Sequence, residues 1–290
     1  MKKVIVISGP TGIGKTNLAI SLAKKYDLEI INADASQMRK HMDIGTANIL
    51  DSEVSGINTY LFKFLNPTDD FSIKDYQDLV RPIIDKVRLP LIVGGSGLYI
   101  DAALLDYKLD SAARDKSFDT GETDLQLYER LKQIDPTLAS KTHPNNRKRV
   151  LRYLEIAGNV TSEATELYDI LYITLDMDRP LLYERINNRF DKMINDGWID
   201  EVKRLKEEGY DLTKVKEIGY TSLSDYLDGK VEFDLIKEKI KQETRNYAKR
   251  QLTWFRGSKK KYTKYYVFNP SEITKINELI NKFINDWIVH

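Results

Sequence analysis

The chain has no cysteine. That excludes disulfides and thiolate-held metals and fits a reducing cytosol. No apolar run reaches the roughly eighteen residues a membrane helix needs. Met1-Lys2-Lys3 leads straight into an apolar strand pattern, so neither a membrane span nor a cleaved leader is expected. A cytoplasmic protein, not membrane-associated, is the expectation. Histidine is scarce at three residues, and His41 stands in a polar stretch with no second ligand nearby, so no metal role is expected for it. Net charge is only +1, which gives no basis for indiscriminate polyanion binding. Repeats, low-complexity tracts and disorder signatures are also lacking. The composition, 41% hydrophobic and 31% charged, is that of an ordinary globular chain. Its 290 residues suffice for one large or two modest domains with a sizeable core.

What is present begins at Val4. Val4 to Ile7 are β-branched and read as a buried strand, and residues from Asn17 show helical spacing through Leu18, Leu22 and Tyr26. Between them, Gly9-Pro10-Thr11-Gly12-Ile13-Gly14-Lys15-Thr16 matches G-x-x-x-x-G-K-[ST] without a mismatch. Such glycines let successive backbone N–H groups turn toward one anion. The helix N-terminus adds partial positive charge, Lys15 a full charge, and the Thr16 hydroxyl a ligand for Mg²⁺. The motif predicts a diphosphate or polyphosphate site and leaves open whether the ligand is a nucleotide such as ATP.

Further along, Leu28–Asn32 reads as a second strand that ends in Ala33-Asp34-Ala35-Ser36-Gln37. An acidic residue at the C-terminal end of such a strand faces the ligand crevice. Asp34 is a candidate general base, Mg²⁺ ligand or simple cap. Residues 42–48 read as loop, Tyr60–Leu65 as a strand, and Ser72-Ile73-Lys74-Asp75 as the capped start of a helix to about Val87. That helix carries Tyr76, Leu79, Ile83 and Val87 on one stripe. A strand at 89–93 runs into Gly94-Gly95-Ser96-Gly97 and an apolar helix, which places a second set of backbone donors on the same sheet edge. Ser96 is therefore a candidate ligand contact.

From Asp106 to about Thr123 the chain turns polar and irregular. Two helices, 125–134 and about 145–156 with a stop at Gly158, precede a return to strand at 168–175. Residues 106–167 thus read as a helical insertion between a core of 1–105 and 168–290. Helices are expected from Asp178-Arg179-Pro180, with Leu182, Ile186, Phe190 and Met193 on one face, and from Trp198 to Glu208. A long one follows from about Phe233 to Arg256, then a strand and a C-terminal amphipathic helix. The long helix has Phe233, Ile236, Ile240, Tyr247 and Trp254 as its apolar stripe, with Arg245, Lys249 and Arg256 opposite. Residues 244–271 carry eight Lys/Arg and no acid, and 141–152 carry five and no acid. Aromatics are interleaved in the first patch. Two acid-free basic patches in a near-neutral chain read as a selective polyanion footprint.

Taken together, GPTGIGKT, IINADASQ with MDIGTA, VGGSGLYIDAALL at 93–105, HPNNRKRVLRYLE and TRNYAKRQLTWFR resemble the tRNA dimethylallyltransferase family over residues 9–256. The resemblance implies a P-loop α/β fold, a doubly wound parallel sheet with a helical inserted domain that grips the anticodon stem-loop of tRNA. It implies that the phosphate loop, Gly9 to Thr16, binds dimethylallyl diphosphate with Mg²⁺ on Thr16. Asp34 becomes the base toward the exocyclic amine of a flipped-out adenine beside the anticodon. Thr11 reaches the bridging oxygen, and Arg245 neutralises departing pyrophosphate. Ser36 and Gln37 are expected to line the adenine side, and Asp34, Ala35, Ser96, Lys148, Arg149, Arg152 and Lys249 also to contact the tRNA. A monomer is expected. The family usually has Ser at Ala35, Tyr at Arg39, Thr at Ser96, Gln at Lys148 and an acid or amide at Ser222. Three other readings are a small-molecule kinase using ATP, an adenylate prenyltransferase, and a silent nucleic-acid-binding module.

Overall fold

The computed structural model describes residues 1–107, 121–156 and 165–286. The expected stop at Gly158 and most of the irregular stretch after Asp106 lie outside the described residues. Strands β1 (Lys3–Ser8), β2 (Glu29–Asn32), β3 (Thr59–Tyr60), β4 (Pro90–Gly94), β5 (Asp169–Leu175) and β6 (Tyr265–Phe268) form one sheet in the order β3-β2-β4-β1-β5-β6. Every neighbouring pair is parallel. Each residue of β1 is buried, as a parallel strand covered on both faces should be.

The chain divides into two compact units, one of residues 1–107 with 165–290 and one of residues 108–164. In the first, helices α1 (Lys15–Tyr26), α2 (Ile73–Lys86) and α3 (Gly97–Leu104) connect the first strands. The second holds α4 (Asp124–Ile134), α5 (Pro136–Ala139) and α6 (Arg147–Ile156) around Leu127, Leu131, Leu138, Val150 and Leu154. The first unit then continues with α7 (Arg179–Asn195), α8 (Trp198–Glu207), α9 (Tyr220–Leu227), α10 (Phe233–Ser258) and α11 (Ile273–Asn285). Its core has two parts. Ile5, Ile7, Leu91 and Ile173 of the sheet pack with Leu22 of α1, Ala248 and Leu252 of α10, and Ile276 and Ile280 of α11. Phe190, Trp198, Val202, Leu223, Ile236 and Ile240 close a second cluster among α7–α10.

Three expectations change. The strand expected over 60–65 ends at Tyr60, because Leu61 and Lys63 take φ of 64° and 47°, which no strand can hold. The chain instead folds back on the turn at Ser36–Met38: Lys63 N–H donates to the Gln37 carbonyl (3.1 Å) and Phe64 N–H to that of Met38 (2.9 Å). On α2 the buried stripe is Tyr76, Gln77, Val80 and Ile84, with Leu79 on the exposed side. Gln77 occupies a core position because its amide donates to the carbonyls of Ala102 and Tyr107, both at 3.0 Å. On α10 the expected stripe reaches Ile236 and Ile240, but Trp254 is exposed. The helix changes neighbours along its 26 residues, and Ala248, Gln251, Leu252 and Phe255 are buried instead. The short α5 and α9 carried no clear periodicity.

Candidate active site

Three connections leave the sheet at the carboxyl ends of β1, β2 and β4, which is where ligands bind in open parallel sheets. After β1, Gly9, Gly12 and Gly14 have φ of 146°, 80° and 102°. At Gly9 a Cβ would also stand 2.8 Å from the Leu175 carbonyl oxygen, so only glycine lets the loop leave the sheet here. Gly14 caps α1 and delivers Lys15 and Thr16 at its first turn. The Lys15 ammonium donates to the Pro10 carbonyl at 3.0 Å and closes the loop. Burial pushes its pKa down to about 8; Asp34 opposes that shift and the Arg189 guanidinium adds to it.

After β2, the Asn32 side chain brackets Asp34, accepting from its N–H (2.8 Å) and donating to its carbonyl (3.1 Å). One carboxylate oxygen, Oδ1, accepts from Ser36 N–H at 3.2 Å, which holds the carboxylate against the start of the short turn at Ser36–Met38. Among the described residues no hydrogen bond occupies its Oδ2. That oxygen lies 3.3 Å from where a Cβ on Gly95 would stand, so the bare glycine keeps space beside it open. After β4, Ser96 Oγ accepts from Ala35 N–H at 3.3 Å, which ties the two turns together.

These turns share one cavity of about 830 Å³ with the 43–50 loop and with residues of α7 and α10. Thr11, Gly12, Gly14, Lys15 and Thr16 line it, as do Asp34, Ala35, Ser36 and Gln37. Ile13 is buried, and Ser96 is absent from the lining but holds Ala35, which lines it. Arg245 is not among the lining groups: its guanidinium donates to Asn187 Oδ1 on α7 at 2.8 Å. Among the cations that do line the cavity is Arg189, whose Nη1 donates to Thr11 Oγ1 (3.4 Å) and Nη2 to the Thr46 carbonyl (3.5 Å). Burial lowers its pKa, with Asp34 opposing. From α10 the cavity receives Tyr247 and Arg250. The Arg250 guanidinium lies 5.7 Å from the Tyr247 ring centroid, and the Tyr247 hydroxyl stands beside Ser96 and Gln251, its pKa raised by burial. Lys249 points to solvent.

Gln251 is a further site residue that the sequence pattern did not single out. Almost fully buried, it accepts from Thr11 N–H at 2.8 Å and donates to the Gly95 carbonyl at 2.9 Å. One side chain on α10 thus locks the phosphate loop to the β4–α3 turn. In the helical unit, Lys148, Arg149 and Arg152 are exposed on α6 while Val150 and Leu154 are buried. Arg149 Nε donates to the Tyr153 hydroxyl at 2.9 Å.

A phosphate-binding loop and an open carboxylate oxygen that share one cavity at the edge of a six-stranded parallel sheet define a P-loop group-transfer enzyme. Family comparison narrows this. A family model described as IPP transferase matches residues 37–258, and one described as Isopentenyl transferase matches residues 2–66. The tRNA dimethylallyltransferase of Geobacillus thermodenitrificans is 44% identical over 277 residues, with 88% of each chain covered. That of Oceanobacillus iheyensis is 40% identical over 304 residues, covering 98% of this chain and 96% of the other. Among solved structures, the tRNA isopentenylpyrophosphate transferase of Bacillus halodurans has a TM-score of 0.74 at 36% identity, covering 99% of this chain and 98% of that one. A eukaryotic dimethylallyltransferase acting on tRNA reaches a TM-score of 0.85 at 26% identity, over 99% of this chain and 80% of that one. The chain belongs to the IPP transferase family, that of the tRNA dimethylallyltransferases.

Proposed function

We infer that this chain transfers a dimethylallyl group from dimethylallyl diphosphate to tRNA. The acceptor is the N6 amine of the adenosine on the 3′ side of the anticodon, and diphosphate is released. The observation that carries this reading is the sharing of one cavity by a phosphate loop and the unoccupied carboxylate oxygen of Asp34. A kinase or an adenylate prenyltransferase is not favoured by the family relationships.

The chemistry assigns each group a task. The adenine N6 attacks C1 of the prenyl chain, the C1–O bond breaks, and the departing pyrophosphate takes the bonding electrons. The lone pair of an aromatic amine is delocalised, so the nitrogen must lose a proton as the new bond forms. Asp34 Oδ2 accepts it, while Oδ1 stays committed to Ser36 N–H and fixes the carboxylate plane. Lys15, Arg189 and the loop N–H groups meet the charge growing on the leaving group. Thr11 offers its hydroxyl to the bridging oxygen, and its contact with Arg189 aligns the two. Arg245 acts from behind, through Asn187 and α7.

Mg²⁺ suits these donors. Thr16, the expected ligand, lines the cavity, and among the described residues there is no cluster of three or more His, Asp or Glu to build a full protein cage. Magnesium is commonly held by one or two protein oxygens together with substrate phosphates, and the bound ion would neutralise charge on the diphosphate.

Ala35, Ser36 and Gln37 face the base. Lys148, Arg149, Arg152 and Lys249 serve as phosphate contacts for the anticodon arm, with residues 106–167 as the tRNA-gripping domain. A base must leave its stack to enter such a cavity, so loop RNA is the acceptor of choice. We expect a cytoplasmic monomer; among the described residues no helix is long and apolar enough to cross a membrane. Incubating the protein with tRNA or AMP, each with dimethylallyl diphosphate, separates this reading from that of an adenylate enzyme.

A further inference from the structure

Glu201 on α8 is only 2% exposed, and its oxygens meet hydrogen-bond donors of the backbone and of a tyrosine. A buried carboxylate is costly unless hydrogen bonds satisfy it. Here three donors do so: Ile44 N–H at 2.8 Å, Gly45 N–H at 3.1 Å and the Tyr220 hydroxyl at 2.7 Å. Two of the three are successive backbone groups of the loop that lines the cavity. The loop is pinned by shape as well. A Cβ on Gly45 would stand 2.1 Å from Trp198 Nε1 and 2.5 Å from the Tyr220 hydroxyl. Two residues on, Ala47 holds φ of 45°, a conformation that a residue with a Cβ keeps only when its surroundings impose it.

The next carbonyls of this loop accept from two side chains that line the cavity. Ala47 O accepts from Gln37 Nε2 at 2.8 Å, and Thr46 O accepts from Arg189 Nη2 at 3.5 Å. We propose that Glu201 is a positioning residue: by clamping the backbone at 44–45 it sets the Thr46 and Ala47 carbonyls. These in turn orient Gln37 on the base side and Arg189 on the leaving-group side. The proposal rests on the assignment of those two residues to the site given above. The charge of Glu201 is essential, because both its oxygens accept. A glutamine would turn an NH₂ toward one of the N–H donors and release half of the clamp.

The test measures single-turnover prenylation at saturating tRNA and prenyl diphosphate for Glu201→Gln, Gly45→Ala, Gln37→Ala and the double variant Glu201→Gln with Gln37→Ala. Rates are expressed per site that binds inorganic pyrophosphate, so that only folded protein counts. Glu201→Gln is expected to slow the step by about 10–100-fold, the cost of displacing a reacting group by a fraction of an ångström to an ångström. Pyrophosphate affinity should stay within a few-fold of wild type. Gly45→Ala should reproduce the defect with Glu201 intact, since it displaces the same loop. The double variant should be impaired by less than the product of the single effects, because both changes break one chain of contacts. Wild-type rates for Glu201→Gln, or a double effect equal to that product, would overturn the proposal. So would loss of pyrophosphate binding in both Glu201→Gln and Gly45→Ala, which would make the clamp a requirement of folding alone. A Gln37→Ala enzyme at the wild-type rate would strike earlier, removing Gln37 from the site reading and this proposal with it.

Discussion

At the scale of residues, two arginines on packed helices have different surroundings. Arg189 lines the cavity and touches Thr11, whereas Arg245 is bound to Asn187. Arg189→Ala should therefore slow the chemical step by about 10²–10³-fold, the usual cost of losing one preorganised donor to a developing charge. Arg245→Ala should cost less in the same single-turnover assay, and the reverse order of severity would return the leaving-group role to Arg245. Asp34→Asn keeps the shape but removes the proton acceptor. Turnover should fall about 10²–10⁴-fold while tRNA affinity, measured by filter binding, stays near wild type. Lys15 brings a pH dependence. Its pKa in the free protein is pushed down to about 8, and only the protonated form offers a full charge to the diphosphate. As pH rises through 8 the free protein loses that proton, so donor affinity should be flat below this point and decline above it. Calorimetric titration between pH 7 and 9.5, where the donor is already ionised, checks the sign.

That the phosphate loop and Asp34 line one cavity was legible, because the loop's spacing follows from anion binding and an acid ending a parallel strand falls at the ligand edge. Arg189 and Gln251 were not, although both left a trace. Arg189 lies in the i, i+3, i+7 row Ile186–Arg189–Met193, and Gln251 in the row Ala248–Gln251–Phe255. A polar residue inside an apolar helical stripe means a buried partner, but only the fold says that the partner is a phosphate loop far away in the chain.

At the scale of elements, β1, α1, β4 and α7 declared themselves through their apolar patterns, and α2 through its capping box. The stretch after Tyr60 did not, because its apolar residues serve a turn that braces Gln37 and Met38 and have no ladder to fill. The stripe of α10 was misplaced in its second half, where the helix passes from the α7–α9 cluster to the sheet. The exposed basic side of α6 carries a prediction of its own. Lys148→Ala and Arg149→Ala should each weaken tRNA binding for all substrate tRNAs and flatten its salt dependence by about one unit of slope. Donor binding should be unaffected. Salt titrations decide it, and an Arg149→Ala variant that matches wild type at every ionic strength would leave α6 as a solvated surface.

At the scale of the whole molecule, the alternation of strand and helix announced a parallel α/β sheet, and the order β3-β2-β4-β1-β5-β6 brings the ends of β1, β2 and β4 side by side. The turns that leave these strands share one cavity there. A phosphate loop with a carboxylate nearby is equally at home in a kinase; what favours prenyl transfer here is the kinship with the tRNA dimethylallyltransferases. The most direct measurement of that claim is mass spectrometry of nucleosides from tRNA incubated with the protein, Mg²⁺ and dimethylallyl diphosphate. The account predicts that the adenosine 3′ to the anticodon, and no other nucleoside, gains the mass of one C₅H₈ unit, with one pyrophosphate released per addition. Unmodified tRNA alongside prenylated AMP, or alongside phosphate transfer from ATP, would contradict it.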